Sequence, residues 1–346
     1  MQISFSTSSA LRPVIAGGSG STGSSLLQRM LGRHPEILAG PEVGLFQFPF
    51  LFEEWATRKM GLPLENFLGI KSRAFARRNG AKVGLEFYGH TPSELNTMLR
   101  HSSSLLEFVQ YFFAKQAGAK GAGIWVEKTP QNAQGFRKFL QHVPEGKVIH
   151  PVRDPYETMA SLVRRGIPEY LAAGHYVYQT SCALSVRGNE RYCEVNYADL
   201  VEQPRETLSE VCEFLGVSYT DQMLEPTSEE RRARVRMPGW KAAETEAVQR
   251  VDLKKFGKLP IEDRNRILAA LAAYEIPASY VHKYQIPFRT FAEIAREMNY
   301  PIHPVDGAPY LNFLKKQRRR DWWIRTKRLH PTGWWNYPGK LKLTAL

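Results

Sequence analysis

Cysteine is scarce in this chain. Its 346 residues include only three, Cys182, Cys193 and Cys212, and none forms a C-x-x-C pair. An odd, unpaired set suggests neither a zinc site nor a disulfide framework, and a reducing, cytoplasmic compartment is expected. Long apolar runs are also missing: nothing approaches the roughly 18 residues that a membrane-spanning helix needs. The stretch from Met1 to Pro13 is rich in Ser and Thr and lacks the basic-then-apolar order of a secretory signal, so none is expected. Acidic residues are few, 34 against 47 Lys and Arg, which leaves a net charge of +13. A basic chain favours nucleic acid, an anionic membrane or a polyanionic small molecule, and composition does not choose among them. The excess is uneven. Lys315, Lys316, Arg318, Arg319, Arg320, Arg325, Lys327 and Arg328 fall in one C-terminal stretch, and Arg231, Arg232, Arg234 and Arg236 form a second cluster.

One more absence is informative because of what surrounds it. Val14-Ile15-Ala16 is a short apolar run ending at Gly17-Gly18, and the next seven residues are all Gly, Ser or Thr. Leu26, Leu27, Met30 and Leu31 then follow at helical spacing until His34-Pro35. Strand, small-residue loop and helix make an anion cradle, because small residues let backbone N–H groups turn toward a phosphate at a helix N-terminus. A flexible linker is the plainer alternative, but a linker would not be framed this tightly. Gly18 and Gly23 have the spacing of a nucleotide triphosphatase P-loop, yet Ser24 stands where that motif requires lysine. With no clear magnesium-binding acid either, γ-phosphate transfer is poorly supported.

The remaining pattern predicts alternating strands and helices. Strands are expected at Gly123–Glu127, Lys147–Val152 and Arg191–Asn196, with a helix over about 131–142 between the first two. Asp154-Pro155-Tyr156-Glu157 has the order of a capping box opening a helix to about Arg165. A further helix, Pro204 to Leu215, ends at Gly216. The fold class is therefore α/β, with a mainly parallel central sheet flanked by helices. Ligands of such folds bind beyond the carboxyl ends of the strands. Residues 45 to 120 look helical and loop-rich. Phe46, Phe48, Phe50, Phe52 and Trp55 there are read as core side chains in the main, with a pocket lining as the alternative.

Four ordered blocks resemble the sulfotransferases that use 3′-phosphoadenosine 5′-phosphosulfate (PAPS), over about Val14 to Leu271. Val14–Leu31 with His34-Pro35-Glu36-Ile37 is similar to the family's 5′-phosphosulfate loop and helix. Val126-Glu127-Lys128-Thr129-Pro130-Gln131-Asn132 resembles the E-K-T-P-x-N block of bacterial and Golgi-type members. Val152-Arg153-Asp154-Pro155 with Ser161 resembles the 3′-phosphate block. Val195–Val201, ending near Phe214-Leu215-Gly216, resembles the Y-E-D-L-V…F-L-G segment.

The resemblance implies a P-loop-like sulfotransferase fold over 1–290, with 291–346 a basic, Trp-rich, helical and loop extension packing on it. It implies transfer of a sulfonate group from PAPS to an acceptor hydroxyl or amine by in-line displacement, releasing PAP (3′-phosphoadenosine 5′-phosphate), with no metal expected. Gly20, Ser21, Thr22, Gly23, Ser24 and Ser25 are assigned to the donor's 5′ end. Arg153, a planar fork of donors, and Ser161 are assigned to the 3′-phosphate. Glu42 matches the base and Lys128 the cation that stabilises developing charge. His90 is the reserve base, or a structural histidine capping a turn. Tyr197 is a nucleotide contact or a buried strand-end tyrosine.

The chain departs from the family at Ser21, where members usually carry Arg or Lys. Lys128 is expected to carry more of the leaving-group charge, or a later basic residue, Lys241 or Arg250, reaches in. The acceptor is unread from the sequence: a metabolite, lipid or glycan all fit. The Lys/Arg and Trp pairs of the tail are read as an extension with its cations in water. Peripheral membrane contact and help with an acidic acceptor are the alternatives, and nucleic acid is not expected. Two rivals to the sulfotransferase reading are a nucleotide kinase of P-loop type and a degenerate nucleotide- or nucleic-acid-binding module.

Overall fold

The structure, a computed structural model, describes residues 11–61, 84–227, 254–326 and 340–341. In chain order its elements begin with β1 (Arg12–Ala16), α1 (Ser24–Arg33), β2 (Ile37–Ala39), α2 (Leu51–Arg58), α3 (Gly84–Phe87), α4 (Pro92–His101) and α5 (Leu105–Lys120). They continue with β3 (Ile124–Lys128), a 3-10 turn (Pro130–Gly135), α6 (Phe136–His142), β4 (Lys147–Val152), α7 (Pro155–Arg164) and α8 (Glu169–Leu184). Then come β5 (Tyr192–Asn196), α9 (Tyr197–Glu202), α10 (Pro204–Leu215), α11 (Ile261–Ala273), α12 (Ala278–Tyr284), α13 (Phe291–Glu297) and α14 (Ala308–Thr326).

The described chain divides into two compact units. The first takes the residues up to Gly17, Ser24–Pro151 and those from Gly188 to 227; the second takes Gly18–Gly23, Val152–Arg187 and those from 254 onward. The first unit carries the sheet, in the order β2-β3-β1-β4-β5. β1 lies parallel to β3 and to β4, and β2 lies parallel to β3. The register sets Ala16 beside both Lys128 and Ile149, so the C-terminal ends of these strands share one edge of the sheet. β1, β3 and β4 are largely buried because helices cover both faces of such a sheet, whereas the edge strand β5 is mostly half-exposed. Phe46, Phe112, Phe113, Trp125 and Phe139 are all buried, with Phe113 stacked on Trp125 at 4.7 Å and Phe46 on Trp125 at 5.7 Å. Phe46 and Trp55 are thus core, as the sequence reading favoured, whereas Phe50 is 40% exposed.

Three local readings need correction. β2 was not expected, because three residues are too few to show a period, yet Ile37 and Leu38 are buried beside β3. The helix expected over 131–142 begins as a 3-10 turn and becomes α-helical only at Phe136. Asn132 is drawn back onto the strand end, and Gly135 packs so closely that an added Cβ would stand 2.0 Å from the Phe46 carbonyl oxygen. The capping box at α7 is only half made. Asp154 accepts from the Glu157 N–H at 2.9 Å, but the Glu157 carboxylate accepts from the N–H groups of Lys255 and Phe256 instead of returning to the cap.

In the second unit α8 is buried at all of its 16 positions. α14 lies with Leu314 buried, Gln317 bonded to Glu169, Tyr310 donating to Glu262 at 3.0 Å and Phe313 under Arg266. Lys315, Lys316, Arg318, Arg319 and Arg320 are exposed. Trp334 and Trp335 lie outside the described residues. No helix among the described residues is long and apolar enough to cross a membrane.

The end of β3 is held by Glu127, which has no exposed surface. Its Oε1 accepts from the N–H groups of Val43 at 2.8 Å and Gly44 at 3.2 Å and from Thr129 Oγ1 at 2.6 Å; its Oε2 accepts from Asn132 Nδ2 at 2.5 Å. Burial raises its pKa, and these bonds oppose the rise. Glu127→Ala would orphan the Val43 and Gly44 amides and the Thr129 hydroxyl, while Asn132 keeps the Ala16 carbonyl, and a loss of roughly 3 kcal/mol is expected in urea denaturation. Glu127→Gln keeps the shape and should lose less. As pH rises above the ordinary glutamate range, the unfolded chain gives up this proton before the folded one. Glu127 therefore contributes falling stability with rising pH, a slope that Glu127→Gln should lack.

The three cysteines are free, and burial pushes their thiols up to about 12 for Cys182 and about 11 for Cys193 and Cys212. At pH 8 only about one thiol in a thousand or fewer is then ionised. An aromatic disulfide reagent should register almost no thiol in the native protein and three after denaturation.

Candidate active site

In the first unit, Lys128 closes β3 with its side chain only 3% exposed. Its ammonium donates to the Glu42 carboxylate and to Ser25 Oγ at 3.3 Å, at the first turn of α1. The Glu42 side chain is 47% exposed, so this carboxylate faces a buried cation on one side and solvent on the other. The turn that carries it, Ala39-Gly40-Pro41-Glu42, leaves β2 and is pinned through its main chain. Gln28 donates to the Gly40 carbonyl, Tyr88 OH donates to the Pro41 carbonyl at 3.0 Å, and Glu127 takes the two N–H groups that follow Glu42. Gly40 is required by close approach: a Cβ there would stand 2.3 Å from the Phe87 ring.

The second unit contains the small-residue loop itself, Gly18–Gly23. Three of its carbonyls are taken. Ser19 O accepts from Thr22 Oγ1 at 2.8 Å, Gly20 O from Ser19 Oγ at 3.2 Å, and Ser21 O from Arg153 Nη1 at 3.2 Å. The Gly20 N–H donates to His175 Nε2 at 2.9 Å. Among the described residues nothing accepts from the N–H groups of Ser21, Thr22 and Gly23. Ser21 has φ +68 and Gly23 φ +82, so successive amides depart from strand or helix directions, as in anion-binding nests. The Ser21 hydroxyl is buried without a partner among the described residues. Arg153 is 6% exposed, and its Nη2 lies 3.6 Å from Glu157. Ser161 is buried on α7, as is Thr158, whose hydroxyl has no partner among the described residues.

The structure thus brings together Glu42, Lys128 and Ser25 in one cluster, and Gly20, Ser21, Thr22, Gly23 and Arg153 in another. Ser24 is buried at the start of α1. His90 is in neither cluster: its Nε2 is 2.7 Å from the Phe112 carbonyl, to which it donates, and burial lowers its pKa. Tyr197 is buried as the first residue of α9. Lys241 and Arg250 lie outside the described residues. Sequence reasoning missed two residues that hold these clusters. His175 stands alone on an apolar-looking stretch, where a histidine is ordinarily core. Glu127 was quoted within the E-K-T-P-x-N block but given no role, although a carboxylate between Trp125-Val126 and Thr129 was itself a signal of a buried polar anchor.

The family description for the sulfotransferase family matches residues 13–221, well over half of the chain. The sulfotransferase domain of the Synechococcus PCC 7002 olefin synthase is similar at 22% identity with a TM-score of 0.51, over 73% of this chain and 90% of that one. The sulfotransferase domain from the curacin biosynthetic pathway is 21% identical with a TM-score of 0.45, over 85% of this chain and 99% of that one. The first likeness places the sheet and its helices in the sulfotransferase fold. By the match over residues 13–221 the chain belongs to the sulfotransferase family.

Proposed function

We propose that the sulfonate donor is PAPS and that Glu42 and Lys128 are the acid–base and electrostatic elements of the transfer. Sulfonate transfer itself follows from the family. The observation that carries the finer reading is the buried Lys128 ammonium touching a half-exposed carboxylate at the end of β3. In-line displacement at sulfur needs these two groups: a base for the acceptor proton and a cation for the charge left on the bridging oxygen. The acceptor oxygen or nitrogen forms the new bond to sulfur as the bond from sulfur to the bridging phosphate oxygen breaks. Glu42 takes the acceptor proton on its solvent-facing side. Lys128 donates to the oxygen that gains charge.

The second cluster fits a phosphate-bearing ligand. It offers unclaimed amides at Ser21, Thr22 and Gly23, the orphaned Ser21 hydroxyl, the Arg153 guanidinium and the Ser161 hydroxyl. The guanidinium fork suits a phosphate better than a carbonyl or a hydroxyl does. The family match gives no support to the kinase or degenerate-module alternatives.

Calorimetric titration with PAP, ADP and AMP tests the donor. PAP should bind at least about tenfold more tightly than AMP, and Arg153→Ala should remove most of that difference, since a charge-assisted pair is worth about 1.5–3 kcal/mol. Equal affinity for the three nucleotides would sink the PAPS reading. The chemistry is tested by single-turnover transfer of labelled sulfonate from PAPS to a panel of phenols, alcohols and amines. Glu42→Gln and Lys128→Met should each slow the step by about 10²–10⁴-fold with PAP affinity little changed for Glu42→Gln. A variant of Glu42 with full activity would remove it from the mechanism.

A further inference from the structure

We infer that His175, a residue outside every motif in the sequence, is a positioning residue for the donor loop: its Nε2 accepts the Gly20 N–H and thereby fixes which of the loop's peptide groups remain for the ligand. The inference rests on the donor-binding reading of the loop and adds to it the residue that shapes it.

The geometry is direct. His175 is 1% exposed near the middle of α8, and its Nε2 lies 2.9 Å from the Gly20 nitrogen. To accept there, Nε2 must be unprotonated, so a neutral ring carries its hydrogen on Nδ1. Burial pushes its pKa down to about 3, in keeping with a neutral ring. The fit leaves no room for a side chain on the loop: a Cβ at Gly20 would stand 2.6 Å from Nε2 and 3.6 Å from Leu162 Cδ2. Glycine is needed here for approach to the imidazole.

The consequence concerns the next three residues. A peptide plane has one N–H, and at Gly20 it is committed to α8. The next plane joins the Gly20 carbonyl, which accepts from Ser19 Oγ, to the Ser21 N–H; the plane after it is held at the Ser21 carbonyl by Arg153, and Ser21 adopts φ +68. With Gly20 and Ser21 fixed, the amides of Ser21, Thr22 and Gly23 are left without acceptors among the described residues. A loop of Gly and Ser alone would spend entropy to adopt this form on each binding event. His175 holds it in advance, from a helix that is itself buried at every position.

Two measurements on the full chain test this. Long-range ¹H–¹⁵N spectra of the ligand-free protein at pH 7 should show His175 neutral with its proton on Nδ1. PAP titration should show binding weakened about tenfold or more in His175→Phe, which keeps the ring volume and loses the acceptor, and largely recovered in His175→Gln, whose amide oxygen can accept. Thermal denaturation of each variant separates folding from binding, and titration is done well below the transition. A charged His175, or the Nε2–H tautomer, overturns the inference, as does a folded His175→Phe with unchanged PAP affinity. If His175→Phe does not fold, His175→Gln and the tautomer decide. A wild-type chain that binds no PAP overturns the donor reading, and this inference with it, whatever tautomer is found.

Discussion

A carboxylate without access to water governs the first of the two clusters. Glu127 sits inside a strand whose neighbours are apolar, and an ionisable group there is tolerated only when its oxygens are occupied. They are occupied by two backbone amides of the turn after β2, by Thr129 and by Asn132. The same bonds that satisfy the carboxylate therefore fix the turn carrying Glu42 and tighten the chain after Lys128 into a 3-10 turn. The turn is held through main-chain atoms, so among the described residues the Glu42 side chain is bonded to Lys128 alone. On the proposed reading, a half-exposed acid on a hydrogen-bonded turn suits a general base: reach to an acceptor, with a fixed root.

The loop is organised on the opposite plan. There three consecutive carbonyls are satisfied, and three consecutive amides have no acceptor among the described residues. Thr22 and Ser19 close the loop on itself, Arg153 takes a third carbonyl, and His175 takes the Gly20 amide. An excess of unclaimed N–H groups with a guanidinium beside them gives positive potential without a lysine in the loop. This explains why a segment that fails the triphosphatase pattern at Ser24 still has the physical character of an anion site.

The strands at β3, β4 and β5 and the helix ending at Gly216 were legible because each has a clear signal: an apolar run, or a glycine with φ +71 closing a helix. Lys128 and Arg153 were singled out through resemblance and through their places at strand ends, and Glu42 through resemblance and its place after the first helix. β2 was not, since three residues carry no period. α8 was not singled out, because a helix buried on all sides shows no amphipathic stripe, and its mixture of Tyr, His, Gln, Thr and Ser hides the burial. The residues missed at the site share this cause. His175 and Glu127 accept hydrogen bonds in the interior, a role that residue type and spacing do not reveal, whether the residue lies outside every motif, as His175 does, or inside one, as Glu127 does.

Ser21 brings these strands of argument together. Members of the family usually carry a cation there, and this chain has a small residue in a left-handed conformation whose carbonyl is bonded to Arg153. A lysine or arginine side chain rooted in the loop would have to be ordered on each binding event, at about 1.5–2 kcal/mol of rotamer entropy. Arg153 is already ordered: it leaves the end of β4, is 6% exposed, and is flanked by Glu157, whose other contacts are the N–H groups of Lys255 and Phe256. The guanidinium that the resemblance assigns to the 3′-phosphate thus stands within hydrogen-bond distance of the residue where relatives place their loop cation. On the proposed reading, moving the charge from the loop to a strand end keeps positive potential at the loop while leaving Ser21 free to take the backbone conformation that exposes its amide.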